Sequence, residues 1–395
     1  MRMKTALSIA LVTETYPPEL NGVALTVERA LHHLLERGHR VGLVRPRQAA
    51  DRVGMPAATI PADTLCVRGL PLPRYPALQL GLPAPLQLLR HWRQTRPDVV
   101  HVVTEGPLGW SALFAARQLG IPVTSDYRTH FQKYSGYYRL GHLAQVIDAT
   151  LRSFHNRTDL TFVATAALAD ELRGCGYRHL ACVGRGVDTD LFSARRRRAA
   201  LRASWGVGAG QLAVLHVGRL APEKNPAVVL EAFRAVRRAH PGARLVWVGE
   251  GPLRGQLERD AVDQVFAGVQ RGVALAEHFA SADLFLFPSL TETFGNVTLE
   301  AMASGLPIVA YDLGAAREHL VDGVCARVLP PAGAEGFIEA ACALAGDGEA
   351  RRAFGAAARQ VAEQLAWPRI LDRFEAHLAA QVARNVPAGD VATVA

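Results

Sequence analysis

Four apolar residues in a row, Leu284-Phe285-Leu286-Phe287, run through Pro288 and Ser289 into a short polar loop. A helical pattern over Asn296–Ala303 follows and stops near Gly305 and Pro307. A short run with no polar alternation is a strand covered on both faces, which is how strands of a parallel sheet read. The same unit recurs along the chain. Strands are predicted at 6–12, 40–44, 98–103, 122–125, 160–164 and 180–183, with helices over 23–37, closed by Gly38, and over 107–120. A second series of strands opens at 212–217 and continues at 244–248, 284–287 and 308–311, with helices over 226–239 and 367–384. Strands alternating with helices specify an α/β chain with parallel sheets, and 395 residues suffice for two such units. The second unit is predicted to begin at about 206, after a connection over 191–205, and residues from 386 are predicted as a frayed tail.

The loop that ends the 284–287 strand carries the most chemistry. Backbone N–H groups at a helix start have no intrahelical partner and lie at the positive end of its dipole, a place suited to a diphosphate. Gly295 lets the backbone approach closely, and Phe294, Asn296 and Val297 flank it. Glu300 falls about one turn into the helix, where a carboxylate can accept hydrogen bonds from ribose hydroxyls. Glu292, just before Thr293, reaches for whatever lies beyond the phosphates. Gly218, Arg219 and Lys224 follow the 212–217 strand, and ligands of parallel α/β sheets bind beyond the carboxyl ends of the strands. A guanidinium and an ammonium there can neutralise a leaving diphosphate. Gly249 opens another loop at a strand end.

Charge is unevenly spread. Residues 1–205 hold 27 Lys and Arg against 15 Asp and Glu, a surplus of 12, and residues 206–395 hold 17 against 21, a deficit of 4. No nucleic-acid motif accompanies the basic half, so an anionic membrane surface is the more economical partner. The run Arg195-Arg196-Arg197-Arg198 is expected to be solvated. No window is long and apolar enough to span a bilayer. The first residues imitate a signal peptide, but Thr13-Glu14-Thr15-Tyr16-Pro17-Pro18 offers no small-residue cleavage site, so a first strand is predicted. Cys66, Cys175, Cys182, Cys325 and Cys342 have no metal-ligand or redox spacing and are read as reduced, cytoplasmic residues. The 16–23 loop lacks Gly-x-Gly-x-x-Gly, which disfavours a dehydrogenase-type dinucleotide site.

The stretch from Phe287-Pro288-Ser289 through Glu292-Thr293-Phe294-Gly295-Asn296-Val297-Thr298-Leu299-Glu300 to Ser304-Gly305-Leu306-Pro307 resembles the nucleotide-sugar site of the retaining glycosyltransferases of family 4. Gly218-Arg219 with Glu223-Lys224, and His101-Val102-Val103-Thr104-Glu105-Gly106-Pro107-Leu108-Gly109, extend the resemblance to about residues 6–385. It implies the GT-B fold: two doubly wound Rossmann-like domains, 1–190 for the acceptor and 206–366 for the donor, facing across a cleft. Helix 367–385 crosses back to the first. It implies retaining transfer of a hexose, best matched by mannose from GDP-mannose, to a lipid or glycan acceptor, with no cofactor and no metal. By the same resemblance Asn21, Gly22 and Val23 form a loop that approaches phosphate and acceptor, and Val269 belongs to the segment that contacts the base. Arg219, Lys224 and Glu292 take the catalytic roles. The family's usual histidine is replaced by Arg128, with His130 two residues on, and either residue can serve near the reacting centre. Asp188-Thr189-Asp190 lies in the interdomain segment and is not read as a metal site. The alternatives are a UDP-sugar-dependent glucosyl-, galactosyl- or sulfoquinovosyltransferase acting on lipid, a nucleotide-sugar epimerase or phosphorylase, and a noncatalytic lipid-surface protein.

Overall fold

The computed structural model describes residues 6–19, 22–48, 51, 60–72, 75–128, 141–260, 264–292, 294–331 and 333–385. The chain divides into two compact units, one of Met1–Gly184 with Leu371–Ala395 and one of Arg185–Ile370.

The first unit is built on β1 (Ser8–Val12), β2 (Arg40–Pro46), β3 (Thr64–Val67), a hairpin of β4 (Gly69–Leu72) and β5 (Tyr75–Gly81), β6 (Val99–Val102), β7 (Val123–Asp126), β8 (Leu160–Val163) and β9 (Leu180–Cys182). Its helices are α1 (Gly22–Glu36), α2 (Pro85–Thr95), α3 (Pro107–Gln118), α4 (Gly141–His155) and α5 (Ala166–Gly174). Seven strands form a parallel sheet in the order β3-β2-β1-β6-β7-β8-β9. Val12, Val100, Val102, Trp92, Ala112 and Leu113 meet in one of its cores. The start that imitates a signal peptide is therefore an inner strand, paired with β2 and β6.

The second unit holds α6 (Ala199–Ser204), β10 (Ala213–Val217), α7 (Pro226–Ala239), β11 (Arg244–Val248), α8 (Arg254–Asp260), β12 (Gln264–Phe266), α9 (Gly272–Ser281), β13 (Leu284–Phe287), α10 (Asn296–Ala303), β14 (Ile308–Tyr311), α11 (Ala315–His319), β15 (Arg327–Leu329), α12 (Glu335–Gly346) and α13 (Gly348–Gln364). Its six strands are parallel in the order β12-β11-β10-β13-β14-β15. Every residue of β10 and β13 is buried, as a sheet covered on both faces requires. Val229, Ala232, Phe233 and Val236 form the inward stripe of α7, in one core with Phe337, Ala341 and Leu344 of α12. The last helix, α14 (Trp367–Asn385), belongs to the second unit through Ile370 and to the first from Leu371, where Phe374 packs edge-on against His101 and Phe162.

The basic run at 195–198 is more than a solvated face. Arg197 and Arg202 hold the two oxygens of Asp283 at 2.7 and 2.8 Å, and Arg198 holds Glu277 at 2.9 Å. These pairs tie the segment before α6 to the end of α9, although Arg198 stays largely exposed. Among the described residues no helix is long and apolar enough to cross a membrane.

Candidate active site

Strand order reverses between β10 and β13, because the chain leaves β10 for β11 on one side and later returns to β13 on the other. The loops leaving two such strands diverge and open a crevice at the carboxyl edge. Residues 218–225, 288–292 and 294–295 flank this crevice, and Leu290 N–H donates to the Glu223 carbonyl at 2.9 Å, which ties one loop to the other. Pro222–Lys224 is a single tight turn, and Asn225 closes it in the left-handed region at φ 54°. That turn places Lys224 over the β13 loop. Its ammonium pairs with Glu292, donates to Ser289 Oγ at 3.3 Å, and sits 5.6 Å above the Phe287 ring. Arg219 is exposed and reaches Glu223 at 3.6 Å, so its charge remains largely open to a ligand.

α10 begins at the far side of the same loop. Gly295 precedes it at φ 89°, and a Cβ there would stand 3.4 Å from the Glu292 carboxyl carbon. Asn296 and Val297 are its first residues, and Glu300 is its fifth. Phe294 is buried, and its carbonyl accepts from Ala315 N–H at 2.5 Å. Gly314 makes this contact possible, since a Cβ at that position would meet the Phe294 oxygen at 2.4 Å and the Glu292 Cβ at 2.9 Å. The glycine carries φ 55° besides. An ammonium, a guanidinium and a helix start thus sit around one crevice, a combination that binds anions with bidentate and point-charge donors together.

Gly249, predicted as a donor-loop residue, lies behind the first loop. Its Cβ would fall 1.9 Å from the Gly218 carbonyl oxygen, at φ 137°, so its lack of a side chain lets the two loops touch. Gly218 N–H donates to Val248 at 2.9 Å, and Gly249 N–H donates to Gly268 at 2.8 Å. Val269, next in sequence, is exposed. In the first unit, Gly22 and Val23 open α1. Arg128 donates through Nε to Asp126 at 2.7 Å, and His101 Nε2 lies 3.4 Å from the same carboxylate. Burial would raise Asp126, but Arg128 and His101 overcome it and hold the carboxyl well below the usual carboxylate range. Asn21, His130 and Thr293 lie outside the described residues.

Three further groups, at strand ends or within a strand, are given no role of their own by the sequence. Ser289, between the Lys224 ammonium and the Thr291 carbonyl, is buried and locks the β13 loop. His216 of β10 is buried beneath the Gly218 turn. Glu14, just past β1, lies at the first unit's own strand-order reversal, between β1 and β6. Its carboxylate lies against the start of α3, where a Cβ on Gly106 would crowd it at 2.2 Å, and its Oε1 is buried with no hydrogen-bond partner among the described residues. Burial pushes the Glu14 carboxyl up to about 7, with Glu105 adding to the rise and the nearby N–H groups of Leu108 and Gly81 opposing it.

Comparison with known proteins agrees with this architecture. Residues 20–191 match the family model described as Glycosyltransferase Family 4, and residues 211–347 match the one described as Glycosyl transferases group 1. A GDP-mannose-dependent alpha-mannosyltransferase of Mycolicibacterium smegmatis is 33% identical over 96% of this chain and 99% of its own. The sulfoquinovosyl transferase SQD2 of Arabidopsis thaliana is 30% identical over 91% of this chain and 71% of its own. The crystal structure of Anabaena HepE in complex with UDP superposes with a TM-score of 0.75 at 18% identity, over 95% of this chain and all of the other. Fold and crevice together define a GT-B glycosyltransferase, an enzyme that transfers a sugar from a nucleotide sugar. The chain belongs to glycosyltransferase family 4 and is a hexosyltransferase.

Proposed function

We propose that the enzyme transfers mannose from GDP-mannose to a lipid or glycan acceptor, with retention of configuration and without a metal ion. The observation that carries the donor assignment is the second unit's crevice, where Lys224, Arg219 and the start of α10 converge. As the glycosidic bond breaks, negative charge grows on the departing diphosphate. Fixed positive groups then stabilise the transition state more than the bound donor, which is what raises turnover. Two side-chain cations and a helix start supply the positive charge that a divalent ion supplies elsewhere. In this reading Glu292, paired with Lys224, receives hydroxyls of the transferred sugar, and Glu300, in the second turn of α10, receives those of the ribose.

Mannose is supported by the mycobacterial relative, and a lipid acceptor by the surplus of basic residues before residue 206. A UDP-linked glucose, galactose or sulfoquinovose donor is the second reading, favoured by the plant relative. The test is incubation of the purified enzyme with radiolabelled GDP-mannose, UDP-glucose, UDP-galactose and UDP-sulfoquinovose, in EDTA, with acceptor vesicles of neutral or anionic lipid. Transfer from GDP-mannose in EDTA, with an α-anomeric product and greater yield on anionic vesicles, is expected. Epimerised or phosphorolysed sugar without transfer, or transfer restored only by manganese, overturns the proposal.

A further inference from the structure

His216 is the fourth residue of β10, in a strand otherwise made of Ala, Val and Leu. It is wholly buried. Its Nδ1 lies 3.0 Å from the Leu286 carbonyl oxygen on neighbouring β13. A carbonyl only accepts, so Nδ1 carries the hydrogen and Nε2 presents a bare lone pair. Burial keeps the ring neutral by pushing its pKa down to about 4. The Leu286 carbonyl opposes that fall, and the charge of Lys224 adds to it. Nε2 is sealed from solvent and has no partner among the described residues. It faces the turn that follows β10, since a Cβ on Gly218 would stand 3.5 Å from it.

Lys224 has the complementary surplus. An ammonium carries three hydrogens. Glu292 and Ser289 take two, and the third meets no acceptor among the described residues. Both groups rest on one aromatic ring: the ammonium lies 5.6 Å from the centroid of Phe287, and the imidazole is stacked on it at 6.2 Å and 30°. Buried acceptors are rarely left without a donor, and here a spare hydrogen and a spare lone pair lie beside one aromatic ring, close enough for the lysine charge to act on the imidazole.

We propose that His216 is a positioning residue for Lys224. The two groups do not hydrogen-bond directly in this structure; the Nε2 lone pair accepts the third ammonium hydrogen through one buried water, or after a small approach of the lysine, and holds the cation in place when donor phosphates compete with Glu292 for it. The inference rests on the donor reading of this crevice. A neutral acceptor is the suitable anchor there. A second cation would repel Lys224, and a carboxylate would compete with the phosphates for its charge.

The experiment is calorimetry of GDP and UDP binding to the full-length enzyme, joined to a double-mutant cycle. His216→Phe keeps the ring stack and removes the lone pair, whereas His216→Gln restores an acceptor near Nε2. Expected is about a tenfold loss of nucleotide affinity in His216→Phe, recovery to within about threefold in His216→Gln, and no further loss when His216→Phe is added to Lys224→Met. An unchanged His216→Phe, or an equal loss with and without Lys224, overturns the inference. Wild-type enzyme that binds neither nucleotide overturns the donor reading, and this inference with it. Should His216→Phe fail to fold, ¹⁵N-histidine spectra of the enzyme with His216 intact decide the matter. An unprotonated Nε2 at pH 7, whose resonance moves in Lys224→Met, supports the role. A protonated Nε2, or one indifferent to Lys224, overturns it.

Discussion

Replacing Glu14 by Gln should change the stability of the first unit in opposite directions at low and high pH. The folded carboxyl titrates at about 7, against 4.5 for its free value. A group whose folded pKa is raised holds its proton in the native state while the unfolded chain has already lost it. Stability then falls as pH rises from about 4.5 to about 7, and the full penalty applies above that window. At about 1.36 kcal/mol per unit of pKa, a rise from 4.5 to about 7 amounts to about 3 kcal/mol, an upper figure for a group not wholly enclosed. Glutamine keeps the shape and never ionises. Its amide oxygen can face one of the nearby N–H groups of Leu108 and Gly81, but its NH₂ is then turned toward the other, at a cost of about 1 kcal/mol. At pH 4, below both pKa values, the variant should therefore be less stable than wild type by about 1 kcal/mol, and near pH 5 the two should be about equal. At pH 8 it should be more stable by about 1–2 kcal/mol, or several degrees in Tm. Urea unfolding of both proteins at pH 4, 5, 6, 7 and 8 reads the crossover directly. A difference in stability that stays flat from pH 5 to 8 would show that Glu14 titrates normally, and the account of its burial on the α3 start would be wrong.

Lys224→Met should lower turnover by about 10²–10³ at saturating donor, as loss of a transition-state charge partner does; a rise in KM alone would assign Lys224 to uniform binding instead. Glu300→Ala should weaken nucleotide binding by about 1.5–3 kcal/mol per lost charged hydrogen bond, and calorimetry showing unchanged affinity in the folded variant would remove the ribose role. Gly314→Ala should displace Phe294 and Glu292 from the crevice floor, because its methyl group would stand 2.4 Å from the Phe294 oxygen. Strain at φ 55° adds about 1 kcal/mol or more, so a melting temperature and donor KM equal to wild type would contradict the packing described.

The parallel sheets were legible because their strands are short apolar runs, and β10, β11, β13 and β14 stand where those runs predict them. The hairpin of β4 and β5 and the edge strand β3 were not legible. Residues 69–81 begin and end with glycine and contain Pro71 and Pro76, a composition that reads as loop. A two-stranded hairpin outside the main sheet tolerates such residues, since its outer edges need no partner strand. Arg219, Lys224 and Glu292 announced themselves through spacing within a strand-end loop. Gly314 and His216 had no such signal. The oxygen that Gly314 accommodates belongs to Phe294, and the carbonyl that fixes the His216 tautomer belongs to Leu286 on another strand. Neither partner stands at a helical or strand spacing, and a histidine inside an apolar run reads as an ordinary core residue.

The two sheets also show what topology leaves open. Each has one reversal of strand order, and each places loop residues at the carboxyl ends of the two strands that flank it. In the second unit those loops bring Arg219 and Lys224 beside the start of α10. In the first unit the start of α3 is already occupied by the Glu14 carboxyl, with Glu105 close enough to raise its pKa. A diphosphate offered to that crevice would meet a helix dipole already satisfied and a second carboxylate nearby, so Coulomb repulsion disfavours it. The second unit's crevice instead brings two cations, Arg219 and Lys224, to a helix start that has no side-chain cap and no acidic residue in its first turn, with Glu223 and Glu292 as their partners. The proposed placement of the donor in residues 185–370 is thus supported by the loop that carries the cations as well as by the family motif. Glu14→Gln and Lys224→Met separate the two crevices in one experiment, because only the second should change nucleotide affinity.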